Sequence, residues 1–434
     1  MDLKNIISLA AFAVFVVYLL MGKDAKRSYL LFVLFAFPII DLFITPVSMG
    51  GFKVFDLITY FALLFIIRPA AAFSKPWTIY STLILVLFLV LLIGCLLSEF
   101  VQYSLITFAQ LFSVFIYAWL LFEECHNHPE FCATVIKALK VSCLISLGFL
   151  AIQLTVGLSF ALYKLNPNAS SFDALIRYPS YFQDPQKYGQ FLAICSFLFL
   201  IEKKKGNKAF LIGAFLFAIV ICGIFLSGVR AAFAGLCVGL LIVFAFGEKR
   251  YKLMGLACIL VGVSAFVLFS EHFALFNRVA NVNDSADQRY AYWNGAVAIF
   301  SKHPFLGIGL GNYQNYVSIH MQEQYWEYAD GIEYVDHPEN GYLKLLAEYG
   351  IAGFLIMLSF FITPIVRAVK ALLQDFQGNK MLLFLIASIV SWMVAFTTMY
   401  SFSDLRIFVQ VISLLCITLT LSNKALAKRT TYGN

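Results

Sequence analysis

Two residues of complementary chemistry, Arg289 and His337, lie in one long polar stretch of an otherwise apolar chain. A guanidinium can bind a phosphate group in bidentate fashion, and a neutral imidazole can accept a proton. Pro338 stands where a first helical residue is favoured, so we expect His337 at a helix N-terminus, where the helix dipole and free N–H groups favour an anionic ligand. A base beside an anion site fits phosphate-ester chemistry.

Three further candidates lie outside that stretch. Arg230 ends the sequence SGVR at the boundary of an apolar run. An unpaired guanidinium is costly there, so we expect it either to reach the membrane interface or to bind a phosphate. Arg177 and Tyr181 belong to the segment IRYPSYFQDPQKYG. Aromatic residues of this kind can stack on sugar rings or belong to the aromatic belt of a membrane protein, and the sequence leaves both alternatives open.

Metal and cofactor chemistry have little support in the sequence. The nine cysteines are scattered, mostly inside apolar runs, without a CxxC pair or a metal-ligand spacing. His126 and His128 could bind a metal, but no third ligand is near in sequence, so we expect a solvated loop. The glycines Gly307, Gly309 and Gly311 do not form a dinucleotide-binding motif, and we expect a tight turn in which backbones approach closely. We therefore expect neither a metal nor a cofactor.

The elements that position these residues are predicted to be membrane-spanning helices. Of 434 residues, 61% are hydrophobic and 13% charged, a composition too apolar for a soluble protein. Twelve or thirteen apolar runs of about 17 to 25 residues recur, each long enough to cross a hydrocarbon core of about 30 Å. The sequence predicts an all-α polytopic membrane helix bundle embedded in a lipid bilayer. The net charge of +7 comes from basic residues in short connections, so we expect no nucleic-acid partner.

The positive-inside rule orients this bundle. Clusters of lysine and arginine fall on one side when the predicted spans alternate, and this side is expected to be cytoplasmic. The acidic loop from Glu123 to Glu130 disagrees locally with the rule. The opposite face would then hold the loop 157–186, Arg230 and residues 271–349. The basic clusters are Lys23 to Arg27, Lys203 to Lys208, Lys249 to Lys252, Arg367 to Lys380, and Lys424 to Arg429.

Three regions follow along the chain. We predict a bundle of about ten spans in residues 1–270, a large helical periplasmic segment in residues 271–349, and further spans with a cytoplasmic tail in residues 350–434. Residues 271–349, named the polar segment below, contain ten Asp and Glu against four Lys and Arg. Structureless loops of this length are uncommon, so we expect a folded cap.

One helix of the polar segment can be predicted from its pattern. Tyr290, Trp293, Val297 and Phe300 recur at helical spacing. They predict a short amphipathic helix that starts near Asp287 and lies on the membrane or on the bundle, with Arg289 in its first turn.

Three stretches of the chain share a pattern with a known family. They read SGVR, QRYAYWNGAVAIFSKHPFLGIGLGNY and HPENGYLKLLAEYGIAGF, and together they resemble the O-antigen ligase and O-antigen polymerase family of bacterial membrane glycosyltransferases. The detailed resemblance covers about residues 285–355. It implies a fold of the GT-C type and an inverting, metal-independent transfer from an oligosaccharide on undecaprenyl diphosphate, at the periplasmic face of the inner membrane. A glycan or lipid A core is the implied acceptor, and a chain-length regulator is a candidate partner.

The resemblance also implies roles for single residues. The family's essential arginines correspond to Arg230 and Arg289, which would stabilise the leaving lipid diphosphate, and its essential histidine corresponds to His337, which would deprotonate the attacking sugar hydroxyl. Many relatives have asparagine directly after the histidine, whereas this chain reads HPENGYL. Glu339 and Asn340 thereby become substrate-binding candidates. Glu339 could orient His337, contact the acceptor or favour the helix N-terminus.

The same residues serve two reactions, polymerisation of lipid-linked repeat units and ligation of a finished glycan to lipid A core. The acidic, aromatic polar segment favours the polymerase, because a ligase has a phosphorylated acceptor that would favour a more basic surface. A lipid or polysaccharide transporter is a distant alternative. Ionisable residues are scarce in the predicted spans, Asp41 being the clearest, which argues against it.

Overall fold

The computed structural model describes residues 3–22, 24–36, 52–66, 79–158, 160, 171–172, 175–201, 206–269, 274–275, 283–328 and 331–432. Several residues used in the sequence analysis lie outside these ranges. They are Lys23, Asp41, Lys203 to Lys205, and the start of the polar segment apart from Ala274 and Leu275.

Helices dominate the described part of the chain. Two short antiparallel hairpins accompany them, β1 (Ser171–Phe172) with β2 (Leu175–Ile176) and β3 (Tyr325–Tyr328) with β4 (Gly331–Tyr334). The helices are α1 (Leu3–Met21), α2 (Ala25–Ala36), α3 (Val54–Ile66), α4 (Ile79–Leu96), α5 (Val101–Asn127), α6 (Phe131–Val156), α7 (Pro185–Ser196), α8 (Asn207–Ser227), α9 (Arg230–Phe246), α10 (Lys249–Phe269), α11 (Asn283–Lys302), α12 (Tyr313–His320), α13 (Gly341–Gln374), α14 (Lys380–Ala395) and α15 (Leu405–Tyr432).

Six helices in the described ranges are long and apolar enough to cross a membrane: α5, α6, α8, α13, α14 with the 3-10 turn that follows it, and α15. Shorter apolar helical stretches lie in α1, α3, α4 and α9. The prediction of an all-α polytopic membrane bundle is confirmed.

The chain divides into two compact units, each made from two separate stretches of sequence. Unit 1 comprises Met1–Asn127 and Asp287–Ile362, and unit 2 comprises His128–Ala286 and Thr363–Asn434. Arg289 and His337 therefore belong to unit 1, whereas Arg177 and Arg230 belong to unit 2.

The acidic end of α5 lies against the basic start of α2 in unit 1. The Glu124 side chain is 1% exposed and lies 2.8 Å from Lys26 Nζ and 2.5 Å from Arg27 Nε. Lys26 is also 3.8 Å from Glu123. The acidic loop that disagreed with the positive-inside pattern thus neutralises basic residues of a neighbouring helix. Local ion pairing accounts for its charge.

A break in α13 organises the rest of unit 1. Gly350 has φ 62° and ψ −175°, so the helical hydrogen bonds stop on both sides of it. The backbone groups left without helical partners bond to the glycine-rich turn instead. Ile308 N–H donates to Ala347 O at 3.0 Å, and Ile351 N–H donates to Pro304 O at 2.8 Å. Unpaired backbone groups are costly in an apolar environment, so this exchange satisfies both segments at once.

The glycine-rich turn adopts the close backbone approach that was predicted. Gly307, Gly309 and Gly311 all have positive φ. A Cβ atom on Gly307 would lie 2.4 Å from the backbone oxygen of Glu348. Only glycine tolerates both this conformation and this contact.

Buried polar side chains fix the other side of the turn. The Asn312 side chain is fully buried, and its Nδ2 donates to Ser98 Oγ at 2.7 Å and to Ser104 Oγ at 2.5 Å. Ser98 Oγ in turn donates to Ile308 O at 2.7 Å. The turn is therefore bound to the α4–α5 connection as well as to α13.

Helix α11 begins at Asn283, one turn before the predicted start near Asp287. Its buried stripe consists of Tyr292, Ala296 and Ile299 rather than the predicted one. Tyr290 and Val297 of the predicted stripe are 58% and 47% exposed. Tyr292, Ala296 and Ile299 pack on α12 and its flanking residues in the small core of the polar segment, completed by Ile308, Tyr313, Tyr316, Val317, Met321, Val335 and Ala347.

A short buried helix occupies the interior of unit 2. The predicted span 187–201 forms α7 followed by a 3-10 turn, and every residue of α7 from Tyr188 onward is buried. Its twelve residues cover about 18 Å, less than a hydrocarbon core of about 30 Å. Asp184 caps α7 by accepting from Gln186 N–H at 2.7 Å.

Small residues bring α9 and α14 close together in unit 2. A Cβ atom on Gly235 would lie 2.2 Å from Ser391 O, and one on Gly239 would lie 3.1 Å from Ala387 O. Glycines four residues apart allow this approach between membrane helices. Arg230 is the first residue of α9, so the packing of this helix on α14 positions the backbone of Arg230.

Substituting Gly350 by alanine should destabilise unit 1. The new Cβ would lie 2.3 Å from Phe305 O at a φ of 62°, and a strained left-handed residue alone costs about 1–3 kcal/mol. We expect a clear drop in the thermal unfolding midpoint of the detergent-solubilised protein. Gly148→Ala is the control, because nothing lies within 4 Å of a Cβ on Gly148. Equal midpoints for the two variants would contradict the role assigned to the break.

Candidate functional site

His337 has a carboxylate beside it in the chain and in space. Its Nδ1–H donates to Asp336 Oδ1 at 2.5 Å, and its side chain is 18% exposed. An ionised carboxylate only accepts hydrogen bonds, so in the neutral form of the imidazole the proton resides on Nδ1 and Nε2 carries the lone pair. The pair is therefore arranged for Nε2 to accept a proton.

Arg289 has a different carboxylate as its partner. Its Nε–H donates to Glu339 Oε2 at 2.8 Å, and the two side chains are 24% and 15% exposed. Glu339 stands two residues after His337, so the contact joins α11 to the chain segment that carries the base. The described side-chain contact of Glu339 is with Arg289, a partner that the sequence did not suggest.

The turn from His337 to Asn340 differs from the predicted helix start. Helix α13 begins at Gly341, not at Pro338, because Asn340 Oδ1 accepts from the N–H groups of Tyr342 and Leu343 at 3.0 and 3.2 Å. Asn340 is the side-chain cap. His337 therefore precedes the helix instead of standing at its first turn, and the argument from the helix dipole does not hold for it.

Helix α12 and Lys344 support the same turn. Lys344 Nζ donates to Asp336 O at 2.7 Å and lies 3.6 Å from Glu348 Oε1. Tyr313 N–H donates to Glu348 Oε1 at 3.2 Å. Burial, together with the charges of Glu348 and Asp336, raises the pKa of Tyr313, which stays neutral. The chain segment that carries His337 is thus held by hydrogen bonds to neighbouring residues.

Two predicted arginines share one turn in unit 2. Gly228 ends α8 with φ 66°, and a Cβ there would lie 3.1 Å from Arg177 Cγ. Arg177 is 3% exposed and donates through Nε to Ser227 O at 3.2 Å. Arg230 follows two residues later at the N-terminus of α9, where the helix dipole favours an anion. Unit 2 therefore concentrates positive charge at the α8–α9 turn.

Tyr181 is enclosed by other side chains. It is 1% exposed, stacks on Phe182 with ring centroids 4.8 Å apart, and lies 5.4 Å from the Arg406 guanidinium. Burial raises the pKa of its hydroxyl well above the ordinary value. This environment suits a packing residue that holds the segment with Arg177, and it leaves the ring little surface for stacking on a sugar.

Metal ligands do not converge within the described ranges. No group of three or more His, Cys, Asp or Glu side chains there could hold a metal ion. His128 lies 3.4 Å from Glu130, an ion pair of a solvated loop.

The sequence matches a family model over residues 215–358, and this family is described as O-antigen ligase. The match includes Arg230, Arg289 and His337. Residues 215–358 are thus similar to the O-antigen ligase family. No curated protein is significantly similar to the chain in sequence. Similarity to the O-antigen ligase family supports a glycosyltransferase-like function in the synthesis of surface polysaccharides, carried out by a multi-pass membrane protein.

Sequence reasoning missed two charged contacts. Asp336 was not singled out, although its place directly before His337 in DHPENG could have suggested it. The other is the ion pair of Asp404 and Arg406 in unit 2, whose side chains are 1% and 2% exposed. Arg406 also donates through Nη1 to Tyr181 O at 2.9 Å, which ties the segment with Arg177 to the start of α15.

Replacing Asn340 should reveal its capping role. Loss of a side-chain cap costs about 0.5–2 kcal/mol, so Asn340→Ala should lower the thermal unfolding midpoint. Asn340→Ser keeps a capping oxygen and should retain most of the stability. Equal destabilisation by both substitutions, measured in the same detergent, would show that the two hydrogen bonds do not stabilise α13.

Proposed function

We propose that the protein is an inverting, periplasmic-face glycosyltransferase of the bacterial inner membrane that polymerises repeat units of O-antigen or a related surface polysaccharide. The donor is an oligosaccharide linked to undecaprenyl diphosphate. The observation that carries the proposal is the pair of separate carboxylate contacts in unit 1, in which Asp336 engages His337 and Glu339 engages Arg289. One side chain serves as base and the other as phosphate ligand.

The acceptor hydroxyl is activated at His337. Asp336 fixes the proton on Nδ1, so Nε2 accepts the hydroxyl proton as the oxygen attacks the anomeric carbon of the donor sugar. The bond from that carbon to the diphosphate breaks on the opposite face, which inverts the anomeric configuration. The carboxylate of Asp336 stabilises the imidazolium that forms.

The leaving diphosphate is stabilised by guanidinium groups. We assign Arg289 and Arg230 to neutralise the charge that develops on the departing oxygen, an electrostatic form of catalysis. Arg177, at the turn that precedes Arg230, adds positive charge for the lipid diphosphate. The Asn340 amide group is the remaining candidate for a contact with the acceptor.

Ligation to lipid A core is the second candidate, favoured by the description of the matching family. The polymerase remains our proposal because residues 271–349 carry ten Asp and Glu against four Lys and Arg. A neutral sugar hydroxyl fits these surroundings better than a phosphorylated acceptor.

Single substitutions test the assigned roles. We expect His337→Ala to lower the transfer rate by about 10²–10⁴-fold, and Arg289→Ala or Arg230→Ala by about 10²–10³-fold. Asp336→Asn should cause a smaller loss, because the base remains but loses its orienting carboxylate. Transfer is measured with purified protein and undecaprenyl-diphosphate-linked glycan, after size-exclusion chromatography has shown that each variant is folded. Full residual transfer by His337→Ala would refute the mechanism.

The products in a deletion strain separate the two reactions. Without a polymerase, lipopolysaccharide should carry core with a single repeat unit, and complementation with the wild-type gene should restore long chains. A ligase deletion would instead give bare core and accumulated lipid-linked polymer. One lipopolysaccharide gel therefore decides between them.

A further inference from the structure

We propose that Glu339 is a positioning residue for Arg289, which holds the guanidinium through Nε and leaves its two terminal amino groups to bind the diphosphate of the donor. The inference rests on the proposed function and adds a residue with a separate task. Asp336 positions the base, and Glu339 positions the phosphate ligand.

The geometry of the contact between Arg289 and Glu339 supports these separate tasks. Within the described residues, the hydrogen bond from Arg289 Nε to Glu339 Oε2 is the one polar contact of this guanidinium. A guanidinium presents its donors in a rigid plane, so fixing Nε also fixes the direction of the terminal amino groups. These groups are the ones that bind phosphate in bidentate fashion.

A buried arginine of unit 2 shows the contrasting arrangement. Arg406 donates to Asp404 through Nε at 3.0 Å and through Nη2 at 2.7 Å, and to Tyr181 O through Nη1 at 2.9 Å. Its side chain is 2% exposed, and all three nitrogens are used inside the protein. Among the described residues Arg289 has one nitrogen engaged, and its side chain is 24% exposed, so it retains the capacity to bind a ligand.

The backbone conformation of Glu339 also indicates that its carboxylate has a function. Its φ of 46° lies in the left-handed region, which glycine and asparagine adopt more readily than glutamate. Residues in such strained backbone conformations cluster at functional sites. Buried Pro338 and the capping residue Asn340 hold the position on both sides.

The alternative that Glu339 orients the base is disfavoured by the contacts. His337 Nδ1 is engaged by Asp336 at 2.5 Å, while the described side-chain contact of Glu339 is with Arg289. The two carboxylates thus have different partners.

The test compares three variants at one position. Glu339→Gly relieves the backbone strain and removes the carboxylate, so it should keep or raise thermal stability while lowering kcat/KM for transfer by about tenfold, a typical coupling between contacting residues. Glu339→Gln keeps an oxygen that can accept a hydrogen bond from Arg289 Nε, so its kcat/KM should fall less. Glu333→Gln, at an exposed carboxylate of β4, is the matched control and should transfer at the wild-type rate.

Binding provides a second readout. Undecaprenyl diphosphate is titrated onto the protein in nanodiscs of neutral lipid, and Glu339→Gly should weaken its binding by about tenfold. In an Arg289→Ala background the same substitution should have no further effect, because Glu339 acts through Arg289. If Glu339 had a purely structural role, Glu339→Gly would lower the stability of the protein, and its effect on binding would add to that of Arg289→Ala.

The outcomes separate this inference from the function on which it rests. Tighter binding by Glu339→Gly would overturn the inference, because the carboxylate would then compete with the diphosphate. Wild-type binding and kcat/KM in Glu339→Gly, with a large loss in Arg289→Ala, would also overturn it while leaving the proposed function intact. Wild-type transfer by Arg289→Ala would refute the role of this arginine in the proposed function itself.

Discussion

Unit 1 depends on the exchange of backbone hydrogen bonds at Gly350. Where α13 breaks, its free carbonyl and N–H groups pair with the glycine-rich turn at Pro304 and Ile308 instead of with the next helical turn. A break in an apolar helix would otherwise leave polar groups without partners, at a cost of several kcal/mol each. The break and the turn therefore require each other.

The candidate site follows from this exchange. The glycine-rich turn connects α11, which carries Arg289, to α12, and the helical segment before Gly350 begins directly after His337 and Glu339. Fixing the turn against α13 places the end of α11 beside the break in α13. The ion pair between Arg289 and Glu339 then joins the two elements at a second point. Arg289 and His337, from distant parts of the sequence, are thereby held in one compact unit.

The sequence predicted what depends on local pattern and missed what depends on contacts between distant residues. Apolar runs predicted the membrane helices and three glycines predicted the tight turn, because a helix and a turn both depend on neighbouring residues. The pairing of Glu339 with Arg289 joins residues fifty positions apart, and no pattern signals it. The start of α13 was misjudged because the capping side chain of Asn340 outweighed the preference of Pro338 for a first turn. The apolar stripe of α11 predicted an amphipathic helix but not the packing of Tyr292, Ala296 and Ile299 on α12, because contacts with distant residues decide which face is buried.

Charge around the base bears on the choice of acceptor. Within residues 271–349, ten Asp and Glu stand against four Lys and Arg. Among the described contacts, Asp336 engages His337 and Glu339 engages Arg289, so these two carboxylates lie beside the proposed base and the proposed phosphate ligand. An excess of carboxylates would repel an acceptor that carries phosphate groups, whereas it would not repel a neutral sugar. The diphosphate of the proposed donor has a separate partner in the terminal amino groups of Arg289, so an anionic donor and a neutral acceptor both fit this segment. The proposed polymerisation of lipid-linked repeat units requires this combination.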